Sequence, residues 1–402
     1  MGAINVKHTG SGADVNISSD GTDLLLNGAA IGGGGGTALE LYAENPSSPT
    51  APSATGTNAV AIGSGSGGAA TASGNESTAV GPDAIASGYA SFAASYSKAT
   101  SDFSFSAAGG NAQAYGAQGY GSVAIGGGSN ARASLSVALG QSSFTETGAN
   151  SVAIGVSYAS GTASFAAAIA NNSSSYGATG TGSVAIGDRA KGAGNYSVSM
   201  GRLNNVSGPN GAVGLGQSNT VSAEGAFAAG STNIASGVYS QALGNGANTQ
   251  GIWGKLAKAS GFFSNYADAQ TGIFVLRSDT TDATPEALTT NNSTAGVNDQ
   301  IILPNNSAYG FTGIIVAREN SASTNDFAVW EIKGGAVRGA TAATTELGTY
   351  NINKISESAG AANWSIALSA DTTNGAVAIT VTGEAAHNIR WVATIKTAEV
   401  TY

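Results

Sequence analysis

His8 and His387 are the only imidazoles in 402 residues, and cysteine is absent. Without cysteine there are no disulfides, thiolate metal sites or thiol nucleophiles. Two isolated histidines, one in the Gly-containing start and one in turn-like sequence, make neither a triad nor a two-histidine metal motif within one chain. A ring of His387 from several copies about an axis would be the one way to hold an ion; an exposed turn is the expectation. "GSGSGG" from Gly63 to Gly68 has the G-x-G-x-x-G form, which needs a helix directly after it and an acidic residue about twenty positions on. Asp83 stands near that distance, but "AATASGNES" follows with no helical period, and 60 glycines make a chance match the better reading. No G-x-x-x-x-G-K-[ST] phosphate loop occurs.

What remains is acid and aromatic chemistry. Glycoside cleavage needs two carboxylates about 5 to 9.5 Å apart around a sugar. Asp279, Asp282, Glu331, Asp371 and Glu384 are the nearest candidates, and mostly turn-like sequence marks them as solvated loop acids. Trp330 alternates with Ile332, Trp364 with Ile366 and Leu368, and Trp391 with Ile389 and Ile395, so all three tryptophans are expected in a core. Phe262, Phe263 and Tyr266, in "SGFFSNYADA", are expected to pack one domain against the next. No residue is assigned as catalytic, cofactor-binding or metal-ligating, no cofactor is implied, and the chain is expected not to be an enzyme.

Composition points to a chain that positions rather than reacts. Gly is 60 of 402 residues and only 10% are charged, against averages of about 7% and about 25%. Net charge is −9 and the pI about 4.7, which leaves no basic surface for phosphates and argues against nucleic acid. "MGAINVKHTGSG" has no basic-then-apolar leader and no run approaches the 18 apolar residues of a membrane span. Synthesis in the cytosol without membrane insertion is the expectation.

The dominant signal is self-similarity. Aligned on the last position of S-V-A-I-G, copies end at Gly63, Gly81, Ser95, Ala108, Gly126, Gly140, Gly155, Ala168, Gly187, Gly201, Gly216, Gly230 and Gly244, and most are 13 to 15 residues apart, with insertions that raise the spacing to 18 or 19. Each unit holds one short apolar stretch with period-2 character and a weaker return segment such as "NARASL" or "NNVSGP". Two short strands and two turns per unit describe one coil of a β-solenoid or β-roll. A coil cannot stand alone: burying Val123 and Ile125 contributes roughly 1.5 to 3 kcal/mol each, while ordering its backbone costs about 1 to 2 kcal/mol per residue. Val123 and Ile125 point to one face and Ala124 to the other, so both faces are non-polar. One is expected to line the roll's interior and the other to meet identical copies in closed cyclic symmetry, with three the expected number although the period does not set it.

These "SVAIG" units resemble the head repeats of trimeric autotransporter adhesins, over about residues 58 to 245. The resemblance implies left-handed parallel β-rolls assembled as threefold bundles. The signal peptide, coiled-coil stalk and membrane anchor of an autotransporter are not found, and the same repeat in bacteriophage fibres, made in the host cytosol, is the better match. "INVKHTGSGADVNISSDGTDLLLNGAAIG" has short β segments at Ile4 to Val6, Val15 to Ile17 and Leu24 to Leu26 and resembles the particle-attaching starts of phage tail fibres. "ENPSSPTAPSATGT" reads as a semi-extended linker. Beyond Gly254 the charged residues and Trp330, Trp364 and Trp391 concentrate, and alternating segments such as "GIFVLRS", "YGFTGIIVARE" and "NIRWVATIKTAEV" suit an antiparallel β-sandwich resembling the C-terminal domains of phage receptor-binding proteins.

The expectation is therefore an all-β chain: residues 1–45 for virion attachment, 46–57 a Pro/Ser-rich linker, 58–254 a trimeric left-handed parallel β-roll (β-solenoid) shaft, and 255–402 a C-terminal antiparallel β-sandwich tip. The function implied is that of a homotrimeric tail fibre, joined to a baseplate, tail or other virion protein through its N-terminus. The tip would meet a host receptor, a glycan or an outer-membrane component. Alternatives are a head or decoration fibre, a bacterial surface adhesin, and, least favoured, a glycan-degrading tailspike.

Overall fold

The computed structural model describes residues 50–402 except 64–67, 108–114, 168–174 and 321–324, together with four short strands near the start. Those strands, Ile4–Val6, Val15–Ser19, Leu24–Leu26 and Ala29–Ala30, pair antiparallel in sequence order. The three β segments expected there are present; His8 lies outside the described residues.

From Ser53 to Ser260 the chain is a parallel β-solenoid of fourteen rungs. Each rung contributes a three- to five-residue strand to one ladder and, in all but the last, a two-residue strand to a second. Stacking is in register with the repeat: Val123 lies beside Val137 and then Val152, and Ala124 beside Ala138 and then Ala153. The fourteenth rung, Leu256–Ser260, pairs parallel with Gln241–Asn245. "LAKAS" lacks the repeat's form, which hides it in the sequence. Ser53–Ala54, within the stretch read as linker, already pairs with Thr71–Ala72, because a two-residue return strand needs no apolar pattern of its own.

The interior corrects one expectation. Val123 and Ile125 do not fill the coil: Ala124 points inward and is buried, while Ile125 is 39% exposed. The inward column is alanine almost throughout, and the return strand brings Ala117, Ala131, Ala159 and Ala178 against it, all buried. The two ladders are too close for larger pairs. Where the return strand does carry Val206 and Val221, the facing position is Gly214, and a Cβ there would stand 2.7 Å from the Val206 Cγ2. Volume is conserved across the lumen because close-packed interiors tolerate neither voids nor overlap.

Both corners carry buried polar columns that satisfy the turn backbone. Ser77, Ser91, Ser136 and Ser240 each donate a side-chain hydrogen bond to the carbonyl three residues earlier, at 2.6 to 2.8 Å. At the other corner Asn204, Asn219 and Asn233 form a ladder. Asn219 Nδ2 donates to the Leu215 and Gly230 carbonyls at 2.9 and 3.0 Å, and its Oδ1 accepts from the Asn233 amide at 3.0 Å. Sealed from water, these bonds fix the spacing between rungs.

The long ladder does not stop at the roll. Leu256–Ser260 pairs antiparallel with Ala269–Thr280, and the sheet continues through Ile389–Thr401, Ser307–Glu319, Phe327–Arg338 and Thr345–Glu357. A smaller antiparallel sheet of Glu286–Ala287, Ile301–Ile302, Ser365–Asp371 and Ala376–Thr382 belongs to the same C-terminal region. Its Ile301, Val377, Ile379 and Val381 join Phe274, Ile315, Trp330, Trp391 and Ile395 of the large sheet in one buried core, giving the sandwich. Among the described residues no helix is long and apolar enough to cross a membrane. Replacing Asn219 with Ala should lower the thermal stability of the roll by about 1 to 3 kcal/mol, because the carbonyls and amide it serves would stay buried and unpaired; calorimetry of the two proteins measures it.

Candidate functional site: an apolar ribbon and the joint beneath it

Period-2 alternation with alanine inside forces the larger residue of every rung outward. The outer column runs Val60, Thr78, Phe92, Phe105, Val123, Val137, Val152, Phe165, Val184, Val198, Val213 and Phe227. Two positions on, Ile62, Val80, Ile125, Leu139, Ile154, Ile186, Met200, Leu215 and Leu243 stand beside it. Phe92 and Phe105 stack with ring centroids 5.0 Å apart. Outward apolar residues recur on the tip, where Val275, Ile314, Val316, Val392 and Val400 are all more than two-fifths exposed. Over the first twelve rungs, Thr78 apart, this outer face is apolar; Gln241 and Lys258 interrupt it at the last two, and on the C-terminal sheet the outward valines and isoleucines share their face with Thr312, Lys333 and Lys396.

Beneath the ribbon's lower end lies the joint between roll and tip. Lys255 stands where other rungs carry the corner serine, immediately before its strand, and it is fully buried. Its Nζ donates to Glu399 Oε2 on the last strand and to Gln250 Oε1, both at 2.9 Å. Glu399 Oε2 also accepts from Gln270 Nε2 at 2.7 Å, Glu399 Oε1 from Thr397 Oγ1 at 2.7 Å, and Gln250 Oε1 from the Tyr309 hydroxyl at 3.1 Å. Burial holds the Lys255 ammonium below its ordinary pKa, against the pull of Glu399. The Tyr309 hydroxyl is pushed well above its ordinary value by burial and then by Glu399. One sign of this joint is visible in the chain itself, a lysine at a position that other rungs fill with serine or alanine.

The acids anticipated as loop residues divide. Asp279 is exposed near the end of strand Ala269–Thr280. Asp282 accepts the Thr284 amide at 2.6 Å, and that bond holds its pKa down. Glu384 accepts from Asn363 Nδ2 at 3.2 Å. Asp371 ends a strand and accepts from Gln300 and Asn374 side chains and from the Thr373 and Asn374 amides. Glu331 is a correction: it lies mid-strand in Phe327–Arg338, half-buried on the outer face, because Ala328, Trp330 and Ile332 take the inward positions. Asp279 and Glu286 line one polar recess of about 700 Å³ with Asn292, Ser293 and Thr294. Among the described residues no three His, Asp or Glu side chains gather as a metal site. His387 follows a turn, half-exposed, with Nδ1 3.1 Å from Glu319 Oε1. Residues 64–67 of the glycine motif lie outside the described residues, and a strand, Thr71–Ala72, follows it in place of a helix.

The aromatic expectations also divide. Trp330, Trp364 and Trp391 are buried, with Trp330 and Trp391 rings stacked at 5.5 Å and Trp391 Nε1 donating to Thr280 Oγ1 at 3.0 Å. Phe262 and Tyr266 lie against the roll at Gly246, where a Cβ would stand 2.7 Å from Phe262 Cδ1 and 3.4 Å from Tyr266 Cδ1, while Phe263 is 79% exposed. Roll and tip are also joined by Ile252 and the Lys255 network. The aromatic loop is held from below, since Asp268 accepts the Phe263, Ser264 and Asn265 amides at 2.6 to 2.8 Å. Burial acts to raise the Asp268 pKa, but the amides of Asn265, Ser264, Phe263 and its own outweigh it and hold the carboxyl below the ordinary range.

No family model matches the chain, and no curated protein matches it. Among solved structures, a crystal structure of the Acinetobacter phage vB_ApiP_P1 tailspike protein aligns over 87% of this chain and 79% of its own, with 11% identity and a TM-score of 0.22. A score that low supports neither a shared fold nor a shared function.

Two outcomes follow from the joint and its loop. Glu399→Leu should cost about 3 to 5 kcal/mol by stranding the Lys255 charge, and Lys255→Met with Glu399→Leu should recover much of it; urea unfolding compares the three. Because its folded pKa is depressed, Asp268 contributes fully above the ordinary carboxylate pKa, and the contribution is lost as pH falls through the lower folded value. Amide exchange at Phe263 to Asn265 should accelerate in acid, and Asp268→Asn should remove that step.

Proposed function

We propose that this chain is a structural and adhesive subunit of a bacteriophage particle, a homotrimeric tail fibre whose roll holds the C-terminal sandwich toward the host surface. The observation that supports self-assembly is the apolar ribbon on the outer face from Val60 to Phe227, where Ile125, Ile154 and Met200 are about two-fifths exposed in the single chain. Identical copies are the fitting cover, because the ribbon is as regular as the roll itself. Closed cyclic symmetry about an axis parallel to the roll lets every rung meet its equivalents. The virion assignment rests on the resemblance of the "SVAIG" repeat and of both ends to phage fibres. Residues 1–45 would join a baseplate, tail or other virion protein, 58–254 would serve as shaft, and the region beyond would bind a glycan or outer-membrane receptor without chemistry. Three tips on one stiff shaft convert weak contacts into avidity when receptor spacing matches.

One feature favours a second reading, glycan cleavage. Asp279 and Glu286 share a polar recess, and Glu286 Oε2 accepts from Ser278 Oγ at 2.8 Å. Host polysaccharide shortened by the purified protein but not by Glu286→Gln would establish it.

The fibre reading predicts a solution mass three times the 39.0 kDa of the chain. It also predicts that the purified protein competes with particles for host cells. Ile125→Asp with Ile154→Asp should abolish both while leaving the β-rich circular dichroism spectrum. A monomeric wild-type chain in sedimentation would refute the assembly.

A further inference from the structure

At the foot of the ribbon the sheet is hollowed. An open cavity of about 950 Å³ lies over Lys258, Ser260, Thr271, Ala308, Gly310, Gly335, Val337, Gly348 and Val400, with Gln270, Tyr309 and Glu399 in its floor. The hollow comes from small residues: Gly310 lies between Gly335 on one neighbouring strand and Ala398 on the other. A Cβ placed on Gly310 would meet nothing within 4 Å. The pairing of Phe327–Arg338 with Thr345–Glu357 also shifts register between Gly334 and Ala336. Since Leu243 pairs with Lys258, the ribbon's face leads to this cavity.

The same level of the molecule carries a projection. Residues 261–268 connect the two strands that wall the cavity, Leu256–Ser260 and Ala269–Thr280. This loop displays Phe262, Phe263 and Tyr266, with Phe262 and Tyr266 edge-to-face at 5.0 Å. None of the three rings lines the cavity of its own chain. Phe263, 79% exposed, is held in place by the Asp268 carboxylate, which ties down its amide and the next two. An aromatic ring kept rigid and in water loses little entropy on docking and has about 150 to 250 Å² to bury.

The geometry points to a knob-and-hole contact between copies of this chain, in which the Phe262–Phe263 loop of one protomer fills the glycine-floored cavity of the next; it rests on the self-assembly proposed above. Symmetry narrows the selection. Around an axis parallel to the roll, a surface meets only parts of its neighbour at its own height. Phe263, Tyr350 and Tyr402 are among the exposed rings near the height of this cavity, and Phe263 stands on a loop tied down by Asp268. With the axis parallel to the roll, each knob enters the hole of the next copy, a head-to-tail contact that closes a ring when repeated. The ribbon supplies area, and the aromatic lock sets which face of one copy meets which face of the next.

Because the natural chain has no cysteine, a pair of introduced thiols reports the contact cleanly. Phe263→Cys combined with Val337→Cys should, on oxidation, give covalent dimers and trimers on a non-reducing denaturing gel, and each single variant should not give trimers. Ile125→Cys on the ribbon, coupled by a short bifunctional maleimide, reports assembly independently. Ribbon-coupled oligomers without any Phe263 to Val337 cross-link, or with an intrachain disulfide only, overturn the lock and leave assembly standing. Failure of both cross-links together with a monomeric mass overturns both. In a second measurement Phe263→Ala should lower the temperature at which the oligomer dissociates while leaving the unfolding of the separated chain in place; an unchanged dissociation temperature counts against the lock.

Discussion

The width of the roll's lumen governs the rest of the molecule. Two ladders of backbone, joined by tight turns, approach so closely that alanine, serine and an occasional valine facing glycine are all that fit between them. A strand of three residues has two faces, and when one must be alanine the larger apolar residues are left to the other. The outward valines, isoleucines and phenylalanines are thus a consequence of coil geometry, and several of them stand exposed on the single chain. The same narrowness explains why polar groups at the corners are so well used. With so little apolar volume inside, much of the cohesion within a chain comes from the backbone ladders and from serine and asparagine side chains that pair many of the turns.

The roll and the C-terminal sandwich are joined in two ways. The long ladder passes from parallel to antiparallel pairing at Leu256–Ser260 without a break, so the tip's main sheet is a continuation of the shaft's. Beneath the transition, Lys255 and Glu399 are buried as a hydrogen-bonded pair joining the last rung to the last strand, although 144 residues apart in sequence. A buried ion pair adds little net stability but is intolerant of misplacement. That intolerance suits a joint whose purpose is angle rather than strength.

Much of this was legible in the chain. The spacing of "SVAIG" gave the rungs and their register, and Val123 lies beside Val137 as the alignment requires. Tryptophan alternation placed Trp330, Trp364 and Trp391 in the core. The stretch after the glycine motif at Gly63, which has no helical period, holds the strand Thr71–Ala72. Other features escaped because their patterns are local accidents until the chain is folded. "LAKAS" carries no repeat signature yet pairs as the fourteenth rung, since backbone complementarity needs no particular side chain. Glu331 read as a loop acid although its neighbours' alternation puts it on a strand. Of the three rings expected to pack, Phe262 and Tyr266 lie against Gly246 of the roll, whereas Phe263 is left exposed on a loop tied down by Asp268.

What the sequence determined by itself was periodicity: a repeat of small and branched residues at a fixed interval can only stack, and stacking fixes which residues share a column. What tertiary structure alone decided was the sense of each column, inward or outward, and the joining of distant positions. Alternation is symmetric, so it cannot tell the lumen from the outside, and only the measured closeness of the two ladders assigns alanine to one and isoleucine to the other. Nor does any local pattern tie Lys255 to Glu399, because their meeting depends on how a sheet of six strands returns its last member to the foot of the roll.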